Sequence, residues 1–168
     1  MATPQDVLRI ASAYAKEAYK EGPNNDSIFG KWYGLNNQPW CAMFVSYVFF
    51  KAGAGSLVAA GPKGFASCTT GVNWFDAHKR LVDVAHAQPG DIVFFSWNGR
   101  KEYDHVEIVV SNDPKSKTLH TIGGNTTGPS GQGAQANGDG VYARVRNYVN
   151  VTAVAHPNWA AVAPKPAA

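Results

Sequence analysis

Apolar and polar positions alternate in two different rhythms along this chain, and the change comes near its middle. Val7, Ala11, Tyr14 and Ala18, flanked by Leu8, Ala15 and Tyr19, recur at the three- and four-residue spacing of one helix face. Thr3 before Pro4, with Asp6 in the first turn, predicts a helix start at about Pro4, and Gly22-Pro23 predicts its end. Residues 23–39, rich in Asn, Gly and aromatics, read as loop. A second helix is expected from Trp40 or Cys41 to Gly53, buried because Phe44, Val45, Val48 and Phe49 make a wide apolar face. Residues 61–70 read as loop and 72–80 as a short helix.

After Pro89-Gly90 the period becomes strand-like. Residues 91–96, 105–111, 118–122, 140–146 and 151–155 are β-rich runs separated by polar or glycine-rich turns, and residues 128–140 read as a mobile hairpin loop. Helices followed by strands predict an α+β fold, with N-terminal helices packed on an antiparallel sheet of five to six strands. At 168 residues there is room for one domain, expected over residues 3–159, and residues 160–168, with Pro164 and Pro166, read as the start of a Pro/Ala-rich linker.

Charge and composition narrow the partners. A formal charge of +3, from 15 Lys and Arg against 12 Asp and Glu, is too small and scattered for a nucleic-acid binder, although it suits an anionic polymer such as a cell wall. The most apolar run, residues 43–50, is interrupted by Ser46 and far short of a membrane span, so no membrane insertion is expected. The first residues lack the basic start and apolar run of a secretory signal, which makes free thiols the default for the two cysteines, Cys41 and Cys68. Neither C-x-x-C nor H-x-x-x-H occurs, so no metal site is expected and a Cys/His metal hydrolase is disfavoured.

Cys41 stands out by its position. A cysteine in the first turn of a buried helix meets partial positive charge and unpaired N–H groups, which favour the thiolate and can hold an oxyanion. The competing reading is a small buried apolar residue. A thiolate nucleophile needs a base, and His105, opening a β-patterned run directly after a polar turn, is the best placed of the five histidines. His78, His86, His120 and His156 read as surface or satisfied core residues. Most of the aromatics Trp32, Tyr33, Trp40, Trp74 and Trp97 are expected in the core, with one or two along a cleft.

Four runs, Gln38-Pro-Trp-Cys-Ala-Met-Phe-Val-Ser-Tyr-Val-Phe-Phe50, Pro89-Gly-Asp-Ile-Val-Phe-Phe95, Asp104-His-Val-Glu-Ile-Val-Val110 and Thr121-Ile-Gly-Gly-Asn-Thr126, resemble in order and spacing the motifs of CHAP-domain peptidoglycan hydrolases, especially those of phage endolysins. The resemblance implies a papain-like (NlpC-type) fold with Cys41 as nucleophile, His105 as its partner and Asn125 as the group that orients the imidazole. It implies bacterial peptidoglycan as substrate, cleaved as an N-acetylmuramoyl-L-alanine amidase or a peptidoglycan endopeptidase. Of the amides Asn36, Asn37 and Gln38 before the nucleophile, Gln38 is the candidate for helping to bind the oxyanion. Some CHAP domains bind calcium through an acidic loop upstream of the cysteine. Here that stretch offers one carboxylate, Asp26, so no cofactor is expected.

Two departures matter. Many relatives carry Glu two residues before the Asn, where this chain has Gly123, and many carry Gly two residues after the His, where it has Glu107. Residues i and i+2 of a strand share a face, so Glu107 either supplies the carboxylate absent at Gly123 or is a solvated strand residue or salt-bridge partner. If the missing carboxylate is not replaced, the chain is a degenerate wall-binding module. The absent signal and the Pro/Ala-rich end fit a monomeric endolysin made in the host cytoplasm, with a wall-binding domain following in the full-length protein.

Overall fold

The computed structural model describes residues 1–99, 102–128, 131 and 133–162. Four helices come first: α1 (Pro4–Lys16), α2 (Ile28–Tyr33), α3 (Cys41–Lys51) and α4 (Cys68–Ala77). The strands follow as β1 (Leu81–Val82), β2 (Ile92–Phe95), β3 (His105–Asp113), β4 (Thr118–Thr126), β5 (Gly133–Ala134), β6 (Asn137–Gly138), β7 (Gly140–Asn147) and β8 (Val151–Ala155). Six of them form one antiparallel sheet in the order β1-β8-β2-β3-β4-β7. This is the α+β, papain-like arrangement expected from the sequence.

Local chemistry explains the helix ends. Thr3 and Asp6 form a reciprocal capping box at the start of α1, and α1 stops at Lys16, short of the expected end at Gly22-Pro23. The next residues leave the helix: Ala18 has φ 52° and Lys20 bridges to Gly140. The expected loop at 23–39 contains α2, because Ser27 caps Gly30 N–H and Gly34 (φ 95°) closes it in the left-handed region. The helix expected over 72–80 begins earlier, at Cys68, because the Ser67 side chain accepts the Thr70 N–H. That shift places the second cysteine at a helix start.

α3 packs against β3 and β4, and its buried residues Phe44, Val45, Val48 and Phe49 meet Ile92, Phe94, Val106 and Ile108 from the sheet in the main core. On β3 the residues alternating with Val106 and Ile108 are His105, Glu107 and Val109, and Val109 joins a smaller cluster with Val93, Phe95 and Leu119. Polar His105 and Glu107 are thus carried into the interior by the pleat. The segment expected as a mobile hairpin loop contains the short β5-β6 pair. At the other end Trp159 stacks on Phe49 and Val162 packs on the core. Residues 163–168 of the expected linker lie outside the described residues. No helix among the described residues is long and apolar enough to cross a membrane.

Candidate active site

Cys41 is the first residue of α3, and its neighbour Trp40 is the cap. Trp40 has no capping side chain of its own. Its backbone N–H instead donates to Asn125 Oδ1 at 3.1 Å, which ties the start of α3 to the end of β4. The indole is buried, stacked on Phe29 at 5.0 Å, and donates through Nε1 to Glu21. The nucleophile candidate is therefore anchored through the residue before it.

His105 is fully buried at the start of β3, where it pairs across the sheet with Phe95. Its Nε2 lies 3.0 Å from Glu107 Oε1. The other ring nitrogen, Nδ1, is buried without a hydrogen-bond partner among the described residues, and it is the one left for the Cys41 sulfur. Glu107 in turn is 0% exposed; it accepts from Arg146 Nε at 3.2 and 3.1 Å and from Arg146 Nη2, and from Thr121 Oγ1. Arg146 also donates to Gln135 Oε1 and Thr126 Oγ1, and its guanidinium lies 5.0 Å from the Trp97 ring centroid. Trp97 stacks on Phe95, so aromatic faces wall this polar cluster from water.

Of the two readings of Glu107, the solvated strand residue is excluded by its burial; the carboxylate holds the imidazole and forms a salt bridge together. Asn125, expected to orient His105, is placed differently. Its Oδ1 takes the Trp40 N–H, and its Nδ2 donates to Asn25 Oδ1, Asn137 Oδ1 and Gly138 O. Its backbone reaches these partners in the left-handed region, φ 52°, at the irregularity of β4 between Gly123 and Thr126. Asn125 thus holds the loop and helix start that carry Cys41, while Glu107 holds the imidazole.

The electrostatics follow from these contacts. The Cys68 thiol, the His105 ring and the Ala42 backbone N–H hold the Cys41 thiol well below its ordinary value, against the effect of burial. Burial alone would lower His105, but the Cys41 and Glu107 charges outweigh it and raise the imidazole to about 9. Burial alone would raise Glu107, and His105 with Arg146 instead bring it down to about 2. These shifts favour the charged form of each group: thiolate, imidazolium and carboxylate.

Cys41 opens onto a cleft of about 500 Å³, lined also by Tyr33, Leu35, Gln38, Cys68 and Tyr103. Gln38 is exposed at its rim. The adjacent amides serve the loop: Asn36 bridges Ser27 N–H and Asp26, and Asn37 donates to Asn24 O. Asp26 pairs with Lys31 at 2.7 Å, and no cluster of three or more potential metal-binding side chains occurs among the described residues. The upstream loop therefore offers a poor fit to calcium, which requires six to eight oxygens.

A protein-family model described as the CHAP domain matches residues 32–125. That is more than half of the chain. The chain belongs to the CHAP-domain family. No curated protein matches it. CHAP domains are in general cysteine- and histidine-dependent amidohydrolases and peptidases of peptidoglycan. The matched span holds Gln38, Cys41, His105, Glu107 and Asn125, whereas Arg146 lies beyond it. Arg146 is the site residue that sequence reasoning missed. A signal existed: a carboxylate inside an apolar strand needs a cation, and Arg144 and Arg146 are borne by a predicted strand.

Proposed function

We propose that this CHAP domain hydrolyses an amide bond in the peptide of bacterial peptidoglycan, as an amidase or endopeptidase, with Cys41 as nucleophile and His105 as acid and base. The observation that carries this reading is the placement of Cys41 at the first turn of α3 beside an imidazole whose far nitrogen is held by the buried Glu107–Arg146 pair.

Cys41 Sγ attacks the carbonyl carbon, and the electron pair of the C=O moves to oxygen. The unpaired N–H groups at the start of α3 face the resulting oxyanion, and Gln38 at the rim adds its amide. His105 Nδ1–H protonates the leaving nitrogen as the C–N bond breaks, leaving a thioester and a neutral imidazole. His105 then takes a proton from water, the hydroxide attacks the thioester, and the peptide acid leaves as Cys41 regains its thiolate. Glu107 keeps Nδ1 directed at the sulfur throughout and stabilises the imidazolium, so it is a positioning residue.

The reading as a degenerate wall-binding module depended on a missing carboxylate at Gly123, and Glu107 supplies one to the imidazole. No metal takes part in the proposed reaction, and its partner is peptidoglycan outside the bacterial membrane, reached by an endolysin made in the host cytoplasm. We place the protein there as a monomer. Mass spectrometry of wall digests tests the function directly: new amino and carboxyl termini are expected at one peptide bond or at the lactyl–alanine amide. Walls left intact by wild type, or digested equally by Cys41→Ser, would refute it.

A further inference from the structure

Cys68 has no step in this hydrolysis, yet it is placed with care. It opens α4 as Cys41 opens α3, and the two sulfurs lie 4.0 Å apart in the wall of the same cleft. Both thiols are free, and each is 6% exposed, so a small solute in the cleft reaches them. Their approach is fixed by the backbone before Cys68. Ser46, buried in the middle of α3, accepts the Phe65 N–H at 2.9 Å and donates to Phe65 O at 2.8 Å. Gly64 (φ 82°) lies so close that a Cβ there would stand 2.5 Å from Ser46 Oγ. The segment carrying Cys68 is thus fastened to the helix that carries Cys41.

We propose that Cys41 and Cys68 form a redox pair, which a peroxide closes into a reversible disulfide across the cleft. The sulfurs must approach from 4.0 Å to about 2.0 Å. The two thiols differ as such a pair requires. The Cys41 thiol is held low, while the hydrogen bond with Cys41, burial and the Cys41 charge push the Cys68 thiol up. The Cys41 thiolate attacks hydrogen peroxide, the O–O bond breaks, and the departing hydroxide takes the His105 proton as water, leaving Cys41 sulfenic acid. His105 then accepts the Cys68 proton, Cys68 attacks the Cys41 sulfur, the S–O bond breaks, and the leaving hydroxide regains that proton as a second water. Two thiols lose two electrons to one peroxide. A dithiol reductant reverses the change by exchange. Bonded to Cys68, Cys41 has no electron pair for a carbonyl, and it is also shielded from irreversible oxidation. The loss of hydrolysis rests on Cys41 being the nucleophile; the bond itself does not.

The test treats the full chain with hydrogen peroxide, blocks remaining thiols with N-ethylmaleimide, and reads intact mass, peptide map and wall lysis. Wild type is expected to lose two hydrogens, carry a Cys41–Cys68 linked peptide, take no label on either cysteine, and regain lysis with dithiothreitol. Cys68→Ser is expected to accumulate sulfinic acid on Cys41 and to stay inactive after dithiothreitol. Wild type with a labelled Cys68 and sulfinic acid on Cys41 overturns the proposal. A linked peptide with undiminished lysis would uphold the bond and overturn Cys41 as the nucleophile.

Discussion

Glu107 fills the space that a side chain at position 123 would need. A Cβ built on Gly123 would stand 2.5 Å from Glu107 Cγ and 2.7 Å from its Oε1. The resemblance to CHAP domains implies Glu at the position of Gly123 and Gly at that of Glu107 in many relatives, whereas here the carboxylate is on β3. Gly123 makes room for the glutamate of the neighbouring strand.

That exchange is testable. Gly123→Ala alone should destabilise the fold by about 1–3 kcal/mol, the usual cost of overpacking a buried site, as read by denaturant unfolding. Glu107→Gly should lose most activity, and adding Gly123→Glu should restore part of it. A double variant no better than Glu107→Gly would show that position 123 cannot present its carboxylate to His105.

Glu107→Gln keeps the shape but removes the charge that raises the imidazole. Its kcat should fall by on the order of a hundredfold, with KM little changed and the alkaline limb of the pH profile moved to lower pH. The last readout separates positioning of His105 from mere packing, because a structural role would leave the limb in place.

Asn125→Ala should behave otherwise. It strips the Trp40 N–H of its buried acceptor and three further contacts of their donor, so about 1–3 kcal/mol of stability should go for each buried group left unpaired. The alkaline limb of any residual activity should stay where wild type has it. A shifted limb with unchanged stability would return Asn125 to the imidazole.

Activity should fall above about pH 9 as His105 loses the proton it gives to the leaving group, and at low pH as Cys41 takes one up. Stability follows the same groups. His105 is raised from 6.5, so its contribution is complete below that value and disappears as pH rises through about 9. Glu107 is lowered from 4.5, so its contribution is present above that value and is lost as pH falls through about 2. Unfolding measured across this range, compared with Glu107→Gln, checks both signs.

Removal of divalent ions should leave wall lysis unchanged, since Asp26 is engaged by Lys31 and Asn36. Loss of activity in a calcium chelator, restored by calcium, would contradict this.

The sequence made α3 and its cysteine plain because apolar residues on every side of a helix leave little alternative to burial. His105 and Glu107 were legible as neighbours on one strand face, since the pleat depends only on spacing. What stayed hidden depends on contacts between distant segments. Nothing local distinguishes an Asn that holds Trp40 from one that holds His105. Arg146 lies on the edge strand β7, where the alternation is kept but the residue types are reversed: Val145 is exposed and the arginine is buried. The start of α4 was misjudged because Ser67-Cys68-Thr69-Thr70 looks like loop until Ser67 is seen to cap it.

Arg146 completes a row of alternating signs through the interior: thiolate, imidazolium, carboxylate, guanidinium. The row sums to zero, and when the sulfur's charge passes to the substrate oxygen the row and that oxyanion together still sum to zero. Water outside has no net charge to follow during the first step, so the medium that responds to the reaction is the folded chain itself, already oriented before substrate arrives.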